Sequence, residues 1–448
     1  MPQAVLRPPV RRLRVEAALV SAALFGANGL SYMLNMVAAR ILAPDGYGAL
    51  GSLLALVVVG AVPAMGMQTV AALHVAGTRS SAGSSGSAAG GTACGTTGGT
   101  AGDSVDGTAG GSVDGTAAAE RQLLRTGLGG AAVVGAVALA ATPLLVLLLH
   151  LDSGWPVVWL GLALAPLTLL GVFHGTLQGH RRFGALALLI GVEGAAKVGG
   201  ALAGLLLGRD AATTLAGMAI GSALTAATGW WLCGRRRPQR GTVRLAGRVL
   251  HAIQAILGLV LLVNLDVVLA RHNLSGPQAG DYAVGVVLTK IAYWLPQAVA
   301  VIVLPRFVDE RRRRRAVPVA LAVIALLDVW VVLATVLYGG PIIRLVGGDG
   351  YGAHIRFAWL FAVLGSLLAL VQLLLYSRIA SADRRSAAAV WAAVAVEIVL
   401  VSAWFDGSVT QVAAAALASV ALLVLAGLLI EYLAARRPVV LPVPRRPD

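Results

Sequence analysis

The sequence predicts an all-α polytopic membrane protein with twelve transmembrane helices in two parallel six-helix halves and with both termini cytoplasmic. Three observations predict this fold class: the composition, the distribution of basic residues and an internal repeat. Of the 448 residues, 58% are hydrophobic and 12% are charged, whereas a water-soluble chain has about 25% charged residues. So few charged side chains cannot cover a soluble particle of this size, and we expect the chain to lie in a bilayer.

Twelve apolar windows are long enough to cross a membrane, because a span needs about 20 mainly apolar residues. The predicted spans lie near residues 15–38, 49–75, 127–150, 155–177, 184–207, 211–233, 249–270, 282–304, 317–338, 353–376, 386–405 and 409–433. They divide the chain into a cytoplasmic N-terminus (1–14), a first six-helix half (15–233), a basic cytoplasmic linker (234–248), a second six-helix half (249–433) and a cytoplasmic C-terminal tail (434–448).

The basic residues test this topology, because Lys and Arg accumulate in cytoplasmic loops. With the N-terminus inside, 28 of the 35 basic residues fall in cytoplasmic segments. The outer segments hold only Arg40, Arg209, Arg271, Arg344 and Arg356. A missed or additional helix would invert half of the loops, so this asymmetry favours the even number of spans. It also accounts for the net charge of +15 without a nucleic-acid partner.

The segment 77–119 consists almost entirely of Gly, Ala, Ser and Thr, with the repeated sequences SVDGTAGG and SVDGTAAA beginning at Ser104 and Ser112. Such a composition buries too little apolar surface to offset the entropy lost on ordering. We predict a disordered cytoplasmic loop there.

An internal repeat relates the first and seventh spans. Asn35 to Leu50 reads NMVAARILAPDGYGAL, and Asn264 to Gly285 reads NLDVVLARHNLSGPQAGDYAVG. Both have an Asn, then Ala-Arg at the outer end, then a turn with Pro and Gly, and a Tyr at the start of the next helix. Because six helices separate the copies, the halves would be parallel, and a binding site is expected between them near the midplane. The alternative is chance similarity between two outer turns.

These residues and three further segments resemble one transporter family. The segments are LLGVFHGTLQGHRRF (Leu169 to Phe183), the run from Val263 to Phe307 and GGDGYGAHIRFAWLF (Gly347 to Phe361). Their order and spacing resemble bacterial polysaccharide flippases of the multidrug/oligosaccharidyl-lipid/polysaccharide exporter (MOP) superfamily. The resemblance covers nearly the whole chain, and it departs from the family at the long loop after the second span.

The resemblance implies two six-helix bundles around a central cavity in a bacterial cell membrane. It also implies alternating access that moves an undecaprenyl-diphosphate-linked oligosaccharide to the outer leaflet for polysaccharide biosynthesis, with polysaccharide assembly enzymes as possible partners. A cation-coupled multidrug antiporter of the same superfamily is the alternative. A membrane glycosyltransferase or polymerase is less favoured, because the predicted outer loops are short. No cofactor is expected, and the chain has no nucleotide-binding G-x-x-x-x-G-K-[ST] motif.

Ionisable residues inside spans are candidates for function, since each is unfavourable by about 2.5 to 3.5 kcal/mol on insertion scales. Glu193 and Lys197 are four residues apart on one helix face and can neutralise each other. Asp266 and Lys290 lie at similar depth on consecutive spans, where an ion pair that opens would act as a gate. Alternatively, Lys290 meets the diphosphate of a lipid-linked sugar as a compact point charge.

Further candidates lie in the same spans and at their outer ends. Asp328 and Glu397 are candidates to bind a proton or Na⁺ whose gradient drives transport. Arg40 and Arg271 lie at the outer ends of equivalent helices and could contact an anionic cargo, although arginines that reach from helix ends to water are the commoner case. Asn264, the Asn of the second repeat copy, is assigned to the same substrate-binding group.

Several other residues are assigned structural roles. His174 and His180 lack a third ligand and are expected to lie at the membrane interface rather than to bind metal. Kinks are predicted at Pro63, Pro143, Pro166 and Pro296. Small-residue spacings predict close packing of the fourth and fifth spans, at Gly171, Gly175 and Gly179 and at Gly200, Gly204 and Gly208.

Overall fold

The computed structural model describes residues 10–88, 110–234, 246–294, 310–351, 357–379, 384–405 and 407–435. Within these residues the regular structure is entirely helical, as predicted. The α-helices are α1 (Val10–Ile41), α2 (Pro44–Gly60), α3 (Val62–Ala88), α4 (Gly110–Ala140), α5 (Thr142–Leu148), α6 (Trp155–Gly179), α7 (Phe183–Gly208), α8 (Ala211–Leu232), α9 (Ala246–Asn273), α10 (Gly276–Trp294), α11 (Glu310–Gly347), α12 (Ala358–Ile379), α13 (Arg384–Ala403) and α14 (Val409–Ala435).

Nine helical stretches of the described residues are long and apolar enough to cross a membrane. One of them, Pro44–Gly77, comprises α2 and most of α3, and it matches the second predicted span. The apolar part of α13, Ala388–Ala403, is shorter. The chain is therefore a multi-pass helical membrane protein, while the number twelve and the side on which the termini lie stay predictions.

Two of the predicted proline kinks interrupt spans. A single residue, Ala61, separates α2 from α3 just before Pro63, and Ala141 separates α4 from α5 just before Pro143. Each proline lacks the N–H that would continue the helix, and its ring clashes with the preceding turn. Pro166 lies inside α6, which continues through it as one helix, and Pro296 lies outside the described residues.

The predicted disordered segment 77–119 is helical at both ends, so that prediction is wrong there. Helix α3 continues to Ala88, and α4 begins at Gly110. An apolar span supplies the helical nucleus, and extension of an existing helix adds one hydrogen bond for each residue ordered. Residues 89–109 lie outside the described residues.

The chain forms two compact units. Unit 1 comprises Met1–Leu42 and Leu53–Leu257, and unit 2 comprises Ala43–Ser52 and Gly258–Asp448. The predicted halves placed residues 43–52 in the first half instead. The start of α2 belongs to unit 2 because Gly48 lies against the backbone of α10, where a Cβ on Gly48 would be 2.8 Å from the Gly280 nitrogen.

Glycine spacing determines the closest helix packing in unit 1. Gly171, Gly175 and Gly179 of α6 face Ala64, Gln68, Ala72 and Val75 of α3. Gly200, Gly204 and Gly208 of α7 face Thr213 and Gly217 of α8. The glycine spacings thus mark packing surfaces, but the predicted close packing of the fourth and fifth spans on each other is wrong, because α6 packs its glycines on α3 and α7 packs its glycines on α8. Small residues allow this approach because no side chain separates the backbones.

The core of unit 2 lies among α9 to α14. Leu262 of α9, Ile324 of α11, Leu368 and Leu373 of α12 and Val420 of α14 are all almost completely buried there. Asp266, Lys290, Asp328 and Glu397, which are described next, lie on the same helices.

Candidate functional site

Asp266 and Tyr282 form a buried hydrogen bond in unit 2. Asp266 of α9 is 2% exposed and Tyr282 of α10 is fully buried. The Tyr282 hydroxyl donates to Asp266 Oδ2 over 3.0 Å, and its ring packs edge-on against Phe361 with centroids 5.1 Å apart. The second oxygen, Oδ1, has no hydrogen-bond partner among the described residues. Asp266 is therefore held in place through one oxygen, and its other oxygen is unsatisfied.

Two further ionisable residues lie close to Asp266. Lys290 of α10 and Glu397 of α13 are both near enough to interact with Asp266 electrostatically. Glu397 is fully buried, and neither of its carboxylate oxygens is hydrogen-bonded to a described residue. We call Asp266, Tyr282, Lys290 and Glu397 the Asp266 cluster. The depths of the spans predicted that Asp266 and Lys290 lie close together. Glu397 was predicted only as a separate ion-binding residue, and Tyr282 was not predicted to belong to a site.

Asn264 and Asp328 are buried at other positions of unit 2. The Asn264 amide donates to the Val260 carbonyl over 2.9 Å, while its Oδ1 has no partner in the described part of the chain. Asp328 of α11 is 4% exposed, and both carboxylate oxygens lack a hydrogen bond to any described residue. Ser366 of α12 lies beside it. Asp328 is thus a second buried carboxylate, outside the Asp266 cluster.

Arg271 is paired within unit 2. Its Nη1 lies 2.6 Å from Oδ1 of Asp45, and the Arg271 side chain is 7% exposed. Asp45 was not recognised as a site residue, because it occurs in an outer turn. Arg40, the equivalent arginine of the first repeat copy, belongs to unit 1 and is exposed. The two equivalent arginines therefore have different environments, and the charge of Arg271 is balanced in this structure.

A three-residue ionisable group lies in unit 1. Lys197 Nζ lies 3.7 Å from Glu193 Oε1, so the pair expected from the i, i+4 spacing forms. His174 of α6 approaches the other oxygen, with 3.6 Å between Nε2 and Glu193 Oε2. We call His174, Glu193 and Lys197 the Glu193 triad.

The interfacial position expected for His174 is wrong, because the residue is 8% exposed and faces α7. At about 1.5 Å per residue along the helix axis, His174 lies about 9 Å and Glu193 about 16 Å from the turn between α6 and α7. The two residues are therefore expected at different depths. The sequence therefore carries no signal for this contact, which depends on how the two helices cross. Among the described residues no group of three or more His, Cys, Asp or Glu could hold a metal ion.

The chain resembles solved transporter structures in its fold. No protein-family model and no curated protein matches the chain. An inward-facing MATE family multidrug resistance transporter of the MOP superfamily superposes with a TM-score of 0.70 at 11% identity, over 90% of this chain and 93% of that one. The lipid II flippase MurJ, in an inward closed conformation, superposes with a TM-score of 0.65 at 12% identity, over 94% of this chain and 88% of that one. The eukaryotic MATE transporter AtDTX14 superposes with a TM-score of 0.63 at 10% identity, over 95% of each chain. The chain therefore has the fold of MOP superfamily transporters.

Proposed function

We propose that this chain is a membrane transporter that works by alternating access, and that it moves an undecaprenyl-diphosphate-linked oligosaccharide from the inner to the outer leaflet of a bacterial cell membrane. The fold supports the transporter assignment, since the similar structures are a multidrug transporter and a lipid flippase. Enzymes of polysaccharide assembly would supply and consume the cargo.

The observation that carries the proposal is the Asp266 cluster. Ionisable residues are rare inside membrane bundles and mark pathways for substrates or ions. Lys290 lies near the Asp266 carboxylate, and a lysine ammonium binds phosphate as a point charge. In the proposed cycle Lys290 contacts the diphosphate of the cargo and returns to Asp266 when the cargo leaves.

The carboxylates would couple this movement to an ion gradient. Glu397 and Asp328 have buried oxygens without hydrogen bonds to described residues, and such groups are stabilised by binding a proton or a cation. Proton or Na⁺ binding at these positions would neutralise the carboxylates. Asn264, Arg40 and Arg271 are assigned to secondary cargo contacts, with Arg271 available once its pair with Asp45 opens.

The second candidate is a cation-coupled multidrug antiporter. It is favoured by the acidic excess of the Asp266 cluster, which contains two carboxylates and one lysine, and by the similarity to a multidrug transporter. An acidic cavity suits a cationic drug, whereas Lys290 suits an anionic lipid-linked cargo.

Transport by purified protein in proteoliposomes separates the two candidates. One set of vesicles contains a fluorescent lipid-linked oligosaccharide, and a second set measures efflux of a cationic dye. We expect flipping of the lipid-linked sugar by the wild type, a loss of at least about tenfold in Lys290→Ala, and partial retention in Lys290→Arg. Unchanged flipping in Lys290→Ala would remove Lys290 from the site. Dye efflux without flipping would establish the antiporter.

A further inference from the structure

The Glu193 triad places two basic side chains on opposite oxygens of one carboxylate. His174 Nε2 is 3.6 Å from Oε2, and Lys197 Nζ is 3.7 Å from Oε1. Neither contact is a short hydrogen bond, and His174 Nε2 has no hydrogen-bond partner among the described residues. The carboxylate is thus shared between a lysine and a histidine that is able to take up a proton.

The triad faces the interior of unit 1 and not the lipid. The exposed residues of α7 from Gly184 to Ala203 are Gly184, Leu188, Ala195, Gly199 and Ala203. At 3.6 residues per turn, Glu193 and Lys197 lie roughly on the opposite side of the helix. Their side chains are nevertheless 21% and 25% exposed. Because charged groups near the middle of a span face a water-filled space rather than lipid, we infer that water reaches this face of α7.

Glu193 and Lys197 both act on His174 through their charges. Helix α8, which packs on α7, has no ionisable residue of the types Asp, Glu, Lys, Arg or His. The other neighbouring helices carry these described ionisable side chains: Glu16, Tyr32 and Arg40 of α1, His74 of α3, and Arg121 and Arg125 of α4.

We propose that the Glu193 triad is a proton-regulated binding site for a diphosphate group, with Lys197 as the residue that contacts the phosphate oxygens. With His174 neutral, Lys197 is paired with Glu193 and the triad has no net charge. When a proton from water binds the ring nitrogen that faces Glu193, His174 becomes the second cation on that carboxylate. The triad then has a net charge of +1, and the Lys197 ammonium is available to an anion.

The charge balance favours an anion over a cation. Glu193 is already matched by Lys197, so a cation entering the triad would meet no net negative charge. A lysine ammonium is a common phosphate ligand. This inference rests on the proposed function, since it assigns unit 1 a contact for the diphosphate of the proposed cargo.

Calorimetric titration of the full chain in phosphatidylcholine nanodiscs tests the site. The probe is dimethyl diphosphate, a diester whose two negative charges do not change between about pH 5.5 and about pH 8, so that a change in binding reports a change of charge on the protein. We expect wild-type binding to be about tenfold tighter at the lower pH, because one unit charge is added a few ångströms from the ligand. Equal binding at both pH values would overturn the proposal.

Four variants assign the effect to the triad. His174→Gln should bind weakly at both pH values, and Lys197→Met should keep only the pH-independent binding that the proposed function assigns to Lys290. Glu193→Gln should bind at the higher pH as tightly as the wild type does at the lower one, a gain that misfolding cannot produce. His180→Gln, at the end of the same helix, is the matched control and should keep the wild-type pH dependence. If Glu193→Gln binds no better than wild type at the higher pH, the proposal that Glu193 withholds Lys197 from the ligand is refuted.

Two further measurements separate this site from the proposed function. Replacing part of the phosphatidylcholine by phosphatidylglycerol should leave binding unchanged if the ligand is a lipid-linked diphosphate. Weaker binding would assign the site to a phospholipid headgroup phosphate. Proton-dependent diphosphate binding in a protein that does not flip lipid-linked sugar would support the site and refute the transport proposal. Flipping of lipid-linked sugar without proton-dependent diphosphate binding would support the transport proposal and refute the site.

Discussion

Arg271 and Asp45 form an ion pair in unit 2, with 2.6 Å between Nη1 and Oδ1, although 226 positions separate them in the chain. The arginine is almost completely buried, whereas the Asp45 side chain is 59% exposed. Both residues lie at helix ends, Arg271 in the last turn of α9 and Asp45 in the first turn of α2. The pair therefore attaches the start of α2 to unit 2.

This ion pair should contribute modestly to stability, because one partner is exposed to solvent. A double-mutant cycle with Asp45→Ala and Arg271→Ala should give a coupling free energy of about 1 kcal/mol in detergent unfolding experiments. Arg344→Ala, at an exposed arginine of α11, is the control and should change the free energy of unfolding by less than about 0.5 kcal/mol. A coupling energy of zero would show that the pair does not stabilise this state.

The Tyr282 hydroxyl should stabilise the protein through Asp266. Tyr282→Phe removes the hydrogen bond from the Tyr282 hydroxyl to Asp266 Oδ2 and should lower the free energy of unfolding by about 1 to 3 kcal/mol. Tyr351→Phe is a matched control, because the buried Tyr351 hydroxyl has no partner among the described residues. Its removal should be neutral or stabilising by up to about 1 kcal/mol. Equal destabilisation of both variants would contradict this distinction.

Glu397 should be unfavourable for stability and necessary for coupling. Glu397→Gln keeps the shape and removes the buried charge, so we expect a higher unfolding temperature than for the wild type. In proteoliposomes the variant should no longer respond to an imposed proton or Na⁺ gradient. Glu16→Gln, near the start of α1, serves as the control and should retain the response. A gradient response that persists in Glu397→Gln would exclude Glu397 from coupling.

Two adjacent glycines of α7 should respond oppositely to alanine. A Cβ on Gly200 would collide with the backbone of Gly217 in α8, so Gly200→Ala should destabilise the protein by about 1 to 3 kcal/mol. A Cβ on Gly199 would meet no atom within 4 Å. Gly199→Ala should therefore stabilise the helix by roughly 0.5 to 1 kcal/mol. Thermal unfolding of the two variants measures this difference, and the same sign for both would disprove the packing.

The helices of the apolar spans were largely predictable from the sequence. The windows 184–207 and 211–233 correspond to Phe183–Gly208 and Ala211–Leu232. Span length and hydropathy are local properties, and the bilayer imposes both. Contacts inside one helix were predictable for a similar reason, since the periodicity of the helix places Glu193 and Lys197 on one face.

Contacts between helices were not predictable to the same extent. Depth along the spans indicated that Asp266 and Lys290 lie close together, but it did not indicate Tyr282 or Glu397 beside them. Depth is measured along one helix and says nothing about rotation around its axis. A residue becomes a neighbour only when its helix also turns the correct face toward the other.

The sequence by itself determined the membrane class, most span positions and the residues whose charges lie in apolar surroundings. The tertiary structure alone decided that His174 meets Glu193, that Asp45 pairs with Arg271 and that the first turns of α2 belong to unit 2. The physical reason is that glycine contacts such as Gly48 against Gly280 set how closely and at what angle helices cross. That crossing, and not any local pattern, selects which distant side chains come within reach of one another.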